Sequence, residues 1–345
     1  MEKIVLGAGI VGLAAWYWWF RRRWTPQTLK SLGETHGILV GTAVRESALK
    51  DDATFRSILT KEFNLITPEN TMKFRYIHPG RNEYFFDYTD AVVGYARQHS
   101  MKIKGHCLLW YKELPNWLTQ GNWSRDQLIA IMEEHIKTVV GRYKGKLMSW
   151  DVLNEAITGR GEYGQSIWHQ IIGPEYIDMA FRFAHEADPN AILIYNDFFA
   201  EGLNKKSDAI YAMVLNLLEK GVPIHEVGFQ THLPENYSPT EQDYQDFATN
   251  LKRFTDAGVT VNISEMTVAI EDPVTTEKLV LQADIYGKTL ETALKNKKFT
   301  TFQVWGFTDK HTTTHSRIYD SYYRPKPAYY ALLNTLKKKG DSNYG

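Results

Sequence analysis

The chain has 345 residues, 43% hydrophobic and 23% charged, which is the composition of a folded globular protein rather than a disordered or fibrous one. Its 40 basic and 40 acidic residues balance, so the net charge gives no basis for capture of nucleic acid. The single cysteine, Cys107, rules out an intrachain disulfide and reads as a small buried hydrophobe.

At the N-terminus, Gly7-Ala8-Gly9-Ile10-Val11-Gly12 matches G-x-G-x-x-G. The dinucleotide fingerprint also needs a second strand and an acidic residue about 20 positions further on, and neither follows. Residues 4–20 carry no charge and end in an aromatic cluster (Trp16, Trp18, Trp19) before Arg21-Arg22-Arg23. That pattern predicts a membrane anchor or an uncleaved signal-like segment over residues 1–24, not a cofactor site. The three arginines after the span favour placing the rest of the chain on the cytoplasmic side.

From residue 25 to 336 no linker or second composition interrupts the chain, and a single domain is expected. Apolar runs rich in β-branched residues predict strands near 38–44, 64–67, 102–109, 147–153, 191–196, 226–230, 260–264 and 302–307. Helices are expected between them, for example over 125–143, 176–187, 205–220 and 240–257, with Gly141, Gly221 and Gly258 at helix ends. Eight alternations of strand and helix predict an α/β fold, the closed (β/α)8 TIM barrel. Residues 337–345 read as a polar tail.

Polar residues stand where each strand should finish. They are Glu69, Asn70 and Lys73; His106 and Trp110; Asn154 and Glu155; Asn196 and Asp197; Gln230 and His232; Glu265; and Trp305 and Asp309. In a parallel barrel all of these ends open into one mouth. Glu155 and Glu265 each close an apolar run, and two carboxylates facing each other across a cleft are the machinery of glycoside hydrolysis. One must be protonated to assist the leaving oxygen, and the other must be ionised. Donors around Glu265 would keep it ionised, a less polar setting would raise Glu155, and His232 could orient Glu265. Trp150 reads as core. No H-E-x-x-H or paired-cysteine spacing points to a metal.

At these residues the chain resembles glycoside hydrolase family 10, the endo-β-1,4-xylanases. The likeness is carried by Thr67-Pro68-Glu69-Asn70-Thr71-Met72-Lys73, Gly105-His106-Cys107-Leu108-Leu109-Trp110, Trp150-Asp151-Val152-Leu153-Asn154-Glu155, Tyr195-Asn196-Asp197, Gly228-Phe229-Gln230-Thr231-His232-Leu233, Ile263-Ser264-Glu265 and Val304-Trp305-Gly306-Phe307-Thr308-Asp309. The resemblance implies that Glu155 is the acid/base and Glu265 the nucleophile. It implies that Glu69, Asn70 and Lys73 hold the glycone-side sugar before the cleaved one. His106, Trp110, Asn154, Gln230, His232 and Trp305 would then surround the reacting sugar, with Asn196 and Asp197 in support. It further implies internal cleavage of xylan with retention of configuration, no cofactor and a polysaccharide partner; a monomer is expected. Polymer hydrolysis would put the anchored barrel outside the cytoplasm, against the arginine signal.

Three departures from the family pattern stand out. Tyr111-Lys112-Glu113 replaces the usual His-Ser-Gln, Thr267 stands where an acid is usual, and the Ser-Trp pair after the eighth strand is absent. These leave open a β-1,4-glycanase of other specificity, such as one for glucan or decorated xylan, or a carbohydrate-binding barrel without turnover.

Overall fold

A computed structural model describes residues 27–341 apart from Asn236. Eight parallel strands follow one another: β1 (Leu39–Val44), β2 (Leu65–Pro68), β3 (Lys102–Leu109), β4 (Ser149–Asn154), β5 (Ile192–Asp197), β6 (Glu226–Phe229), β7 (Thr260–Val268) and β8 (Phe299–Val304). Each pairs with the next. β8 returns to β1, with Leu39 opposite Thr301 and Gly41 opposite Gln303, so the sheet closes. A two-residue strand, His232–Leu233, lies beside the end of β7.

Helices fill the intervals: α1 (Ala53–Glu62), α2 (Asp87–Gln98), α3 (Arg125–Arg142), α4 (Tyr176–Ala187), α5 (Lys205–Glu219), α6 (Glu241–Asp256), α7 (Thr276–Leu294) and, after β8, α8 (Pro327–Asp341). This is the (β/α)8 barrel that the alternation predicts. Asp52, Ser124, Asn204, Thr240 and Thr275 cap α1, α3, α5, α6 and α7, each accepting a backbone N–H of the first turn. Gly221 (φ 63°) and Gly258 (φ 114°) follow α5 and α6 in left-handed backbone. Gly141 does not end its helix. α3 runs on to Arg142, and Gly145 (φ 70°) makes the turn instead. α8 likewise continues to Asp341, past the boundary expected at 336.

The strands hold together because one set of side chains meets the helices. Ile66, Val152, Leu193, Val261 and Ile263 are fully buried, each contributing ~1.5–3 kcal/mol. Trp150 belongs to this layer, as expected. A Cβ on Gly105 would lie 2.1 Å from its ring, so the indole crosses β3 only because that residue is glycine.

The other set of side chains is polar. Thr67, Lys104, Asp151, Glu226, Asn262 and Gln303 are all buried on the strands. Lys104 Nζ sits 3.0 Å from Asp151 Oδ2. An ammonium without such a partner would be too costly to bury there.

The expectation of a membrane-anchored protein is corrected here. No helix among the described residues is long and apolar enough to cross a membrane. The segment on which that expectation rested, residues 4–20, and the glycine motif at 7–12 lie outside the described residues.

Candidate active site

β4 ends at Asn154, and Glu155 follows in left-handed backbone (φ 56°), a conformation that residues other than glycine seldom adopt. The β4–β5 register shifts between Asp151 and Leu153. Asn154 and Glu155 consequently both reach the mouth, although they are neighbours. Glu155 Oε1 accepts from Asn154 Nδ2 and Gln230 Nε2, each at 3.2 Å. Its Oε2 accepts from Trp110 Nε1 at 2.9 Å, with Lys112 Nζ 3.8 Å away. The less polar surroundings expected for Glu155 are not found, because indole, amides and an ammonium all face it.

Glu265 lies on β7, where the pairing with β8 shifts between Ile263 and Met266. It is 4% exposed. Oε1 accepts from Asn196 Nδ2 at 2.7 Å, and Oε2 is 3.2 Å from His232 Nε2. His106 Nδ1 is 3.8 Å from Oε1. Burial would raise this carboxyl, but the His106 charge, the hydrogen bond and charge of His232, and Lys104 outweigh it and hold the group down to about 2.

A chain of amides joins the two carboxylates. Asn196 Nδ2 donates to Glu265 and also to Asn154 Oδ1 at 2.8 Å, and Asn154 donates to Glu155. Ser264 Oγ donates to Asn196 Oδ1 at 2.5 Å and fixes which way that amide faces. Beneath them, His106 Nδ1 lies 2.8 Å from Asp151 Oδ2. His106, Asp151 and Glu265 form a group whose ligand atoms fall within 4.8 Å of one another. Lys104 already supplies positive charge at Asp151.

Past the ends of β1 and β2, Glu69 takes a bidentate pair from Arg45 at 2.7 and 2.9 Å. Lys73 Nζ donates to Asn70 Oδ1 at 2.9 Å and lies 5.2 Å from the Trp110 ring centroid. Trp305 meets His106 edge to face, with centroids 5.0 Å apart.

Two of the polar strand ends turn away from the mouth. Asp197 pairs with Lys206 at 2.6 Å and accepts from Tyr195 Oη at 2.5 Å, which makes it a buried brace and not part of the cleft. Asp309 pairs with Lys326 at 3.0 Å. Glu113 pairs with Arg75 at 3.4 Å, which compensates the extra charge expected near the site. Thr267, in place of the usual acid, lies 2.9 Å from His232 Nδ1 and orients that ring. Arg45, Lys104, Asp151, Lys112 and Ser264 are site residues that strand-end reasoning passes over.

A closed parallel barrel that gathers an amide-linked pair of glutamates at the C-terminal ends of its strands is the frame of a glycoside hydrolase. The chain belongs to glycosyl hydrolase family 10, whose sequence profile matches residues 28–335. It is 40% identical over 322 residues to endo-1,4-beta-xylanase B of Thermotoga neapolitana, covering 90% of this chain and 92% of that protein. It is 33% identical over 315 residues to exoglucanase XynX of Acetivibrio thermocellus, covering 86% of this chain and 28% of that larger protein. The fold superposes on xylanase 10B from Thermotoga petrophila RKU-1 in complex with xylobiose, with a TM-score of 0.88 and 39% identity over 92% of this chain and 99% of that one.

Proposed function

We propose that the chain is a retaining endo-β-1,4-xylanase, with Glu265 as nucleophile and Glu155 as acid/base. Glu265 attacks the anomeric carbon while protonated Glu155 passes its proton to the departing glycosidic oxygen. A water molecule then gives its proton to Glu155 and its oxygen to the same carbon, freeing Glu265 and restoring the original configuration. Electrons and protons balance over the two carboxylates and one water.

The observation that supports these roles is the contrast between the two glutamates. Glu265 is buried against His106, His232 and Asn196, which favour its charge. Glu155 stands nearer the rim, between the Trp110 indole and Gln230. On this reading Glu69, Asn70 and Lys73 grip the preceding sugar. His106, Trp110, Asn154, Gln230, His232 and Trp305 enclose the reacting one, with Asn196 supporting the nucleophile.

The test is product analysis with the full chain on xylan and on soluble β-glucan, following the anomeric signal by NMR. Short xylo-oligosaccharides with the β anomer appearing first are expected. An α anomer appearing first would overturn retention. Products from β-glucan alone would overturn the substrate.

A further inference from the structure

The crossing from β8 to α8 lacks the Ser-Trp pair usual in the family, and it holds an unused cation. Arg317 lies with its guanidinium over the backbone of Gly306, next to Trp305. A Cβ built on Gly306 would meet Nε at 3.5 Å and Cζ at 3.9 Å. Its Nη1 is buried and has no hydrogen-bond partner, and neither does the buried Nε2 of His311. Both residues line a recess shared with Arg45, Glu69, Phe55 and Trp305. The recess holds about 20 Å³. That is enough for one or two oxygen atoms and too little for a sugar ring.

The neighbouring cations are paired, and Arg317 is not. Arg45 is spent on Glu69. The neighbouring Lys310 pairs with Asp52 at 2.7 Å and Lys326 with Asp309 at 3.0 Å. Among the described residues Arg317 has no carboxylate at salt-bridge distance, although Glu69 and Asp309 lie near enough to favour its charge. It is also held rigidly. The Arg317 backbone N–H donates to Asp309 Oδ1 at 2.8 Å, Tyr286 Oη donates to the Ser316 carbonyl at 2.9 Å, and Gln282 Nε2 donates to the His315 carbonyl at 3.0 Å. Helix α7 thus fixes the backbone that carries this guanidinium, in a recess shared with Glu69. A desolvated arginine with free donors fits a carboxylate.

We propose that this recess receives the carboxylate of a uronic-acid side group on the glycone side of the glycan, so that Arg317 selects acidic, decorated chains. The inference rests on the glycanase reading given above. The shortened crossing removes an aromatic cover over neutral sugar and leaves a cation in its neighbourhood.

The test compares kcat/KM on a glucuronic-acid-substituted xylo-oligosaccharide and on the unsubstituted oligosaccharide of the same length. Wild-type protein should favour the acidic chain about tenfold, the effect of one or two charge-assisted hydrogen bonds. Arg317→Gln should bring the ratio to about one, and Arg317→Lys should keep part of it. A wild-type ratio near one overturns the proposal without any variant, and so does an equal loss on both chains in Arg317→Gln. If neither chain is cleaved, the glycanase reading fails. Calorimetric binding of the two oligosaccharides then decides the recess by itself, with equal affinities overturning it.

Discussion

Glu155 and Glu265 are the same residue at equivalent strand ends, yet their surroundings differ in kind. Glu265 is enclosed by histidines and an amide aimed at its oxygens, with a lysine deeper in the barrel. Glu155 sits on a left-handed turn and shares its oxygens among an indole, two amides and a half-exposed lysine. The difference teaches that the role of a carboxylate is set by what is packed behind it. A group backed by fixed positive charge stays ionised, whereas a group at a rim can exchange a proton with leaving group and water.

The sharpest way to break this comparison is to remove one member. Glu265→Ala should lower kcat on xylan by at least about 10⁴-fold, and azide should restore turnover with inverted product. Activity near wild type would sink the nucleophile role. Glu155→Ala should lower kcat on polymer by about 10²–10⁴-fold, yet spare glycosyl transfer from an aryl glycoside with a good leaving group. Equal losses on both substrates would contradict the acid role.

Smaller changes sharpen the contrast. Asn196→Ala removes the donor common to Glu265 and Asn154. It should cost about 10²-fold in kcat with little change in KM, and a loss confined to KM would make it a substrate-binding residue only.

Acidification offers a test through stability. The folded value of Glu265 lies below the unfolded one, so its ionised form stabilises the fold fully above the ordinary carboxylate range. That contribution fades as pH falls from there through about 2. Urea denaturation at pH 7 and pH 3 should show wild-type protein losing more stability than Glu265→Gln. Parallel losses would mean that the carboxylate is not held down. Thr267→Val should have the smallest effect, a few-fold fall in kcat through a loosened His232 ring.

The barrel and most of the mouth are legible in the sequence because hydrophobic periodicity reports which residues face the core. β3 (Lys102–Leu109) and α4 (Tyr176–Ala187) match their expected spans for that reason. Pairing between strands is less legible, because it depends on register. Val44 stands opposite Pro68, which brings the next residues, Arg45 and Glu69, side by side. His232 stands opposite Thr267 for the same reason. Asp197 shows the opposite error, since strand alternation turns it away from the face that Asn196 occupies. A register shift precedes Asn154-Glu155 and another spans Ser264-Glu265, and adjacent residues serve the same site where simple alternation would separate them.

The buried set of Lys104, Asp151 and His106 carries a consequence for how such a barrel can change. Asp151 Oδ2 touches both Lys104 Nζ at 3.0 Å and His106 Nδ1 at 2.8 Å, in a place without solvent. Loss of the aspartate would strand a cation, and loss of the lysine would strand an anion. A change at any one of these positions alone therefore leaves a buried charge without its partner, which ties the three residues to one another.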